Sequence, residues 1–231
     1  MTKLICVIEV TGNQGGSVAQ QFLQDSNYCV RGITRNPSSV AALKLAAQGI
    51  DVVAGDLDDV QTLISAFAGA NIIFIGTNYW EPFFRPNCRN KALDLDIKRM
   101  SFLDVMVPHF AVNTDMSNFV YVVSKTPPGI AYMAAGTECS WSEYTRMWST
   151  VTGIPAAYKQ ITVEQFIALV GDEALGQETA DMFSYSSEPE YDGGDKTLLK
   201  ANDIKAAGIE CPMTTLEEFI KNEDWSSIIA Q

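Results

Sequence analysis

The sequence predicts an α/β chain in which a partial parallel sheet is followed by a smaller, mainly helical region. Three observations carry that reading. Short apolar runs alternate with helix-periodic segments from Leu4 to Ile75. A glycine-rich turn directly follows the first apolar run, and after Trp80 the alternation gives way to helix-periodic segments joined by polar loops. With 231 residues, 47% of them hydrophobic and 19% charged, the chain has ample interior for a core, which excludes global disorder.

Taken in order, Leu4 to Val10 is an apolar run broken only by Glu9 and predicts a first strand, with Thr11-Gly12-Asn13-Gln14-Gly15-Gly16 as the turn behind it. Val18, Phe22 and Leu23 then recur at helical spacing, predicting a helix to about Ser26 that packs on the sheet. Tyr28 to Thr34 predicts the second strand. Asn36-Pro37-Ser38-Ser39 opens a second helix through Ala47, closed by Gly49. Ile50 to Ala54 predicts the third strand, and Asp58 with Gln61 three residues later predicts a capping box for a helix carrying Leu63, Ala66 and Phe67, ended by Gly69. Asn71 to Ile75 predicts the fourth strand. Strand and helix in this alternation give a Rossmann-like, right-handedly wound parallel sheet, with ligand chemistry at the carboxyl ends of its strands.

Residues 81–106 mix prolines, basic residues and scattered apolar positions, with no clean strand. The expected organisation is therefore a dinucleotide-binding half over 1–86, a junction over 87–106 and a mainly helical substrate region over 107–231. In that last region helices are predicted from Asp115 to Lys125, stopped by Thr126-Pro127-Pro128-Gly129, and from Ser140 to Val151, with Ser140 and Glu143 as a capping box and Gly153 closing. Thr162 to Val170 and Thr215 to Ile220 follow, the latter with Thr215 and Glu218 as a capping box. Ser184 to Asp195 reads as a polar loop.

Composition narrows the function classes. The net charge is -12, and residues 107–231 hold 18 acidic against seven basic side chains. No basic stripe is found for a nucleic-acid backbone. The acidic face is either solvated surface or a dock for a basic protein partner. No apolar run approaches the ~20 residues that cross a bilayer, and the N-terminus enters a strand too soon for a signal peptide, so a cytoplasmic protein without membrane association is expected. Cys6, Cys29, Cys88, Cys139 and Cys211 form no Cys-x-x-Cys pair, and with one histidine the chain predicts reduced thiols, no metal site and no Ser-His-Asp chemistry. That histidine, His109, follows Pro108 and reads as a packed or surface imidazole.

The turn from Thr11 to Gly16 carries the strongest chemical signal. A glycine turn between a buried strand and a helix lets backbone N–H groups approach a pyrophosphate at the positive helix end. Gly12 and Gly15 keep the spacing of a G-x-x-G-x-x-G pattern, whose first position is Glu9 here, where a side chain crowds the turn and brings a charge near the phosphates. The turn either binds a dinucleotide or is structural alone. At the end of the second strand, where NAD-binding folds carry an acidic residue, Arg35 offers a guanidinium to a 2'-phosphate; the expected cofactor is NADP (NADPH). Tyr121 and Lys125 match the Tyr-x-x-x-Lys spacing that places a phenol and an ammonium on one helix face. Their helix lies beyond the junction and runs into Pro127-Pro128, so they are weak catalytic candidates and the catalytic acid is unassigned. Tyr79, Trp80, Phe83 and Phe84 follow the fourth strand and either line a substrate pocket or bury against a second subunit.

Thr11-Gly12-Asn13-Gln14-Gly15-Gly16-Ser17-Val18, Thr34-Arg35-Asn36-Pro37, Gly55-Asp56-Leu57-Asp58-Asp59, Gly136-Thr137 to Trp141 and Val151-Thr152-Gly153 together resemble the NmrA-like group of atypical short-chain dehydrogenases. The resemblance runs over 1 to about 86 and again over 107–231. It implies that Asp56 and Leu57 flank the adenine and that Thr77 and Asn78 lie near the nicotinamide. It further implies an NADP-binding oxidoreductase that reduces or oxidises a small organic substrate by hydride transfer. Members of the group also include NADP-sensing regulators that bind a protein partner, which is the alternative reading. In the group a longer segment stands between the equivalents of Trp80 and Val107, supplying two further strands and the catalytic lysine. The helix bearing Tyr121 packs there with the C-terminal region. A third reading is a cofactor-free isomerase or cyclase that reuses an aromatic-lined cleft. An unpaired sheet edge beside the aromatic residues predicts a homodimer, by edge pairing or by exchange of residues 81–106.

Overall fold

The structure, a computed structural model, describes residues 2–76 and 104–226. Its chain compacts into two units. One is the N-terminal sheet with Val112–Gly129 and Ile204–Pro212; the other holds Ile130–Asp203 and the chain from Met213 onward, together with the residues just before Val112. Compaction thus departs from the linear division at 86 and 107, because two segments of the second half return to the sheet.

In the first unit, β1 (Lys3–Ile8), β2 (Tyr28–Thr34), β3 (Asp51–Ala54) and β4 (Ile72–Phe74) form a parallel sheet in the order β3-β2-β1-β4. The register runs Lys3↔Tyr28 to Ile8↔Ile33 between β1 and β2, and Ile5↔Ile72 to Val7↔Phe74 between β1 and β4. The apolar run of β1 follows from burial on both faces. Ile5 and Val7 pack with Val18, Ala19 and Phe22 of α1 (Asn13–Leu23), whereas Cys6 and Ile8 pack on the other side with Ala66 of α3 (Val60–Ala66). Burying a side chain such as Phe22, fully enclosed here, contributes roughly 2–3 kcal/mol.

The helices of this half begin where their sequences predict, with one shift. Ser39 caps α2 (Val40–Ala47) by accepting from Ala42 N–H. For α3 the cap is Asp59, not Asp58, and it accepts from Gln61 N–H; the Asp58 N–H is itself bonded to the Asp56 carboxylate, so the chain turns one residue later. The larger correction concerns α4 (Val112–Val123), the helix predicted from Asp115. Its Met116, Val120 and Tyr121 pack on the α1 side of the sheet core, where the Phe22 ring gives Tyr121 an edge-to-face contact at 5.2 Å, while Asn118 on the same helix donates to the Pro212 carbonyl at 3.0 Å, so the helix meets the sheet as well as the C-terminal segment.

In the second unit, β5 (Met106–His109) pairs antiparallel with β7 (Thr137–Ser140), from Met106↔Ser140 to His109↔Thr137. Neither strand was predicted, since Pro108 interrupts one and the other is four residues without alternation. Two-residue β6 (Tyr132–Met133) and β8 (Leu199–Lys200) pair in parallel. The Ser140–Glu143 box opens α5 (Trp141–Thr152), which ends on Gly153 at φ +74. α6 (Val163–Val170) starts at a Thr162–Gln165 box and α7 spans Glu173–Tyr185. A π-helical turn over Ser186–Glu190 takes part of the predicted loop. After α8 (Ala201–Ala206), the Thr215–Glu218 box opens α9 (Leu216–Asn222). Cys139, Leu216 and Ile220 form a core with Trp148, Phe219 and Trp225 around them. Among the described residues no helix is long and apolar enough to cross a membrane, and no acidic, histidine or cysteine cluster could hold a metal.

Candidate functional site

The carboxyl ends of β1, β2, β3 and β4 lie along one edge of the sheet. The strand order reverses between β1 and β4, and a crevice at such a reversal is where parallel α/β sheets take ligands. The turn from β1 into α1 opens there. Thr11, Gly12, Asn13 and Gln14 are exposed, and Gly15 is buried. Gly12 occupies the helix N-cap position with no side-chain cap, and no acidic residue stands in the first turn. The first N–H groups of α1 are therefore left to an outside acceptor, with the positive helix end behind them. Gln14 reaches across to the end of β4, where its Oε1 is 3.5 Å from the place a Cβ on Gly76 would occupy.

Gly15 is required by packing. A Cβ there would lie 2.4 Å from the carbonyl oxygen of Glu9 and 2.6 Å from that of Ile8, so α1 approaches β1 only without a side chain. Gly32 does the same for Val10, whose methyl groups would lie 2.8 Å from an added Cβ; this close approach is visible in the sequence only as a glycine inside a strand.

Glu9 stands in the left-handed region at φ +51, a conformation costing a non-glycine residue roughly 1–2 kcal/mol. Its main chain is held in place: Gly12 N–H donates to the Glu9 carbonyl at 2.8 Å, and Val10 N–H donates to Ile33 C=O at 3.2 Å. The side chain does more than crowd the turn. Its Oε1 lies 3.9 Å from Arg35 Nη2, and both side chains are about half exposed. The sequence singled out each residue separately and missed the pairing, which follows from β1 and β2 ending side by side.

Behind β3, Gly55 N–H donates to Thr34 C=O, which places Asp56 and Leu57 at the same edge as Arg35. Asp56 is turned into its own loop, its N–H donating to Thr62 Oγ1 and its carboxylate accepting from Asp58 N–H, while Leu57 is 40% exposed. Thr77, Asn78, Tyr79, Trp80, Phe83 and Phe84 lie outside the described residues, as does the junction except for its last residues from Asp104.

Tyr121 and Lys125 are far from this edge. The Tyr121 hydroxyl donates to Asp25 Oδ2 at 2.7 Å, and Lys125 Nζ sits 3.8 Å over the Tyr121 ring. Asp25 follows the last turn of α1, just before β2 begins, so the pair is at the amino end of the strands. α1 alone separates it from the glycine turn, about 16 Å for 11 residues. The Asn27 N–H and the Tyr121 hydroxyl hold the Asp25 carboxyl below its ordinary range. The spacing match is structural, a tie between α4 and α1.

Within the second unit a cleft of about 150 Å³ is lined by His109, Tyr144, Thr214 and Phe219 among others. Of the two environments open to His109 it takes the packed one, its ring 5.1 Å from Tyr144 and 5.7 Å from Trp141. Burial pushes its pKa down, with a hydrogen bond to the Cys139 backbone opposing, and its Nε2 is buried without a partner among the described residues. Burial likewise pushes the thiols of Cys6, Cys139 and Cys211 up, as reduced packing residues.

Residues 1–90 match the NmrA-like family. The NmrA-like family domain-containing oxidoreductase FrzB of Cladobotryum sp is 41% identical over 85 residues, 37% of this chain and 25% of the relative. The NmrA-like family domain-containing oxidoreductase lnbB of Aspergillus flavus is 29% identical over 202 residues, 83% of this chain and 55% of the relative. The chain thus spans between a quarter and about half the length of these relatives. The NADPH-dependent quinone oxidoreductase of Escherichia coli, solved with NADPH, superposes with a TM-score of 0.68 at 19% identity, covering 98% of this chain and 100% of that one. That likeness establishes the fold alone. The sequence relationship reaches past the matched segment into the second half, and the N-terminal 90 residues of this chain are an NmrA-like family domain.

Proposed function

We propose that the chain is an NADP(H)-dependent oxidoreductase acting on a small organic substrate, with the dinucleotide held at the β1–α1 turn. The observation that carries this reading is the uncapped N-terminus of α1 beside Arg35: one supplies N–H groups for a pyrophosphate, the other a guanidinium for a 2'-phosphate. The names of FrzB and lnbB as oxidoreductases, and of the E. coli neighbour as NADPH-dependent, support it. Thr11, Asn13 and Gln14 would line the phosphates, and Leu57 would cover the adenine. A bound nicotinamide supplies the hydride; the chain's part is to bind and orient it. Calorimetric titration with NADPH, followed by loss of NADPH absorbance with a panel of small quinones and aldehydes, tests the reading. Micromolar binding and turnover are expected; absence of binding would overturn it.

A second reading, a non-enzymatic NADP sensor with a protein partner, is favoured by the bond that ties Tyr121 to Asp25 and by the seating of Lys125 on the Tyr121 ring, which leave the one acid–base pair the sequence offered in a structural role. NADPH binding without turnover on any acceptor would select it. For assembly we propose a cytoplasmic homodimer. Among the described residues β4 is a sheet edge with Ile73 and Ile75 about half exposed, and sedimentation should show twice 25.3 kDa.

A further inference from the structure

We infer that Glu9 sets the cofactor preference of this chain by holding a carboxylate against Arg35, in competition with a 2'-phosphate. The inference rests on the dinucleotide reading above and concerns a residue to which that reading gives no part.

Glu9 is one of two non-glycine residues at positive φ among the described residues, and it stands at the tightest point of the turn. The strain persists because the surrounding backbone fixes it: the Glu9 carbonyl accepts from Gly12 N–H and abuts Gly15, while the next residue is bonded to β2. The carboxylate is thereby carried to the end of β2, with Oε1 3.9 Å from Arg35 Nη2. Both side chains are about half exposed, so a dissolved ligand can reach the pair.

A guanidinium already facing a carboxylate attracts a second anion less, and the two anions repel one another. NADPH must displace or share that contact. NADH brings a neutral 2'-hydroxyl, which can donate to the carboxylate instead. Glu9 therefore takes the role that an acidic residue at the end of the second strand has in NAD-selective folds, from the end of the first strand. The chain discriminates between the two cofactors less than Arg35 alone would.

The test is calorimetric titration of the full chain with NADPH and with NADH at one fixed salt concentration, for the natural sequence, Glu9→Gln, Arg35→Ala and the double variant. Glu9→Gln keeps the side-chain shape and removes the charge. It should raise NADPH affinity about three- to tenfold and change NADH affinity less than about twofold, and the gain should shrink in the Arg35→Ala background. An unchanged NADPH to NADH ratio in Glu9→Gln, or an equal gain with Arg35 removed, would overturn the inference while leaving the dinucleotide reading intact. Failure of every chain to bind either nucleotide would overturn both.

Discussion

Arg31 and Arg35 stand four residues apart on β2 and its continuation, and the fold gives them opposite tasks. Arg31 is consumed by the sheet: its Nε donates to Asp51 Oδ2 at 2.8 Å, and its Nη1 donates to the carbonyls of Ala66 and Ala68 at 3.2 and 3.0 Å. It thereby joins β2 to the start of β3 and satisfies carbonyls that the end of α3 leaves over. The bond to Asp51 raises its pKa further, and its side chain is 22% exposed. Arg35 lies past the end of the strand, 53% exposed, facing Glu9 across 3.9 Å at the rim of the crevice. The difference teaches that residue type and proximity in sequence do not assign a role in a parallel sheet. Position along the strand does, because mid-strand groups meet neighbouring elements and carboxyl-end groups meet ligands.

Arg31→Leu gives the largest effect. It removes three hydrogen bonds, one of them to the part-buried Ala66 carbonyl, so stability should fall by about 2 kcal/mol, roughly 4–8 °C in melting temperature, with the NADPH to NADH affinity ratio unchanged. A shifted ratio would break the division of labour. Arg35→Ala should move stability by less than about 0.5 kcal/mol yet weaken NADPH about tenfold and NADH hardly at all. Equal losses for both nucleotides would leave no case for a 2'-phosphate contact.

Two smaller effects concern groups packed within the fold, away from the rim of the crevice. His109 has a folded-state pKa below its unfolded value of about 6.5. Between those two values the unfolded chain binds more protons, so this contribution is complete above about pH 6.5 and is lost as pH falls below it. Urea midpoints at neutral and mildly acidic pH should show the loss, and His109→Gln should flatten it; a profile unaffected by that change would place the titration elsewhere. Tyr121→Phe and Lys125→Met should leave NADPH-linked turnover unchanged within about twofold. Abolished activity in either would return the pair to the catalytic centre.

Much of the first half was legible because its signals are local. The apolar run of β1, the glycine turn and the capping residue Ser39 each act within a few positions, and parallel pairing from Lys3↔Tyr28 onward is what they imply. The three capping boxes of the second unit, at Ser140, Thr162 and Thr215, are local in the same sense, each a Ser or Thr followed three residues later by Glu or Gln. What escaped was decided at a distance. α4 packs on Phe22, about a hundred residues earlier, so its apolar face fitted either half of the chain. β5 and β7 are strands because they meet each other and not because either has a strand-like pattern. At the site, the local sequence marks Glu9 as an obstruction and Arg35 as a phosphate ligand; their pairing depends on two strands ending in register, which neither local sequence encodes.

Backbone amides followed by nuclear magnetic resonance, while the full chain is titrated with NADPH, reveal whether the β1–α1 turn holds the dinucleotide phosphates. The amides of Asn13, Gln14, Gly15 and Gly16 should shift first and furthest, with Arg35 following, and those of Tyr121 and His109 should stay in place. Shifts confined to the cleft around His109, with the glycine turn unmoved, would contradict it.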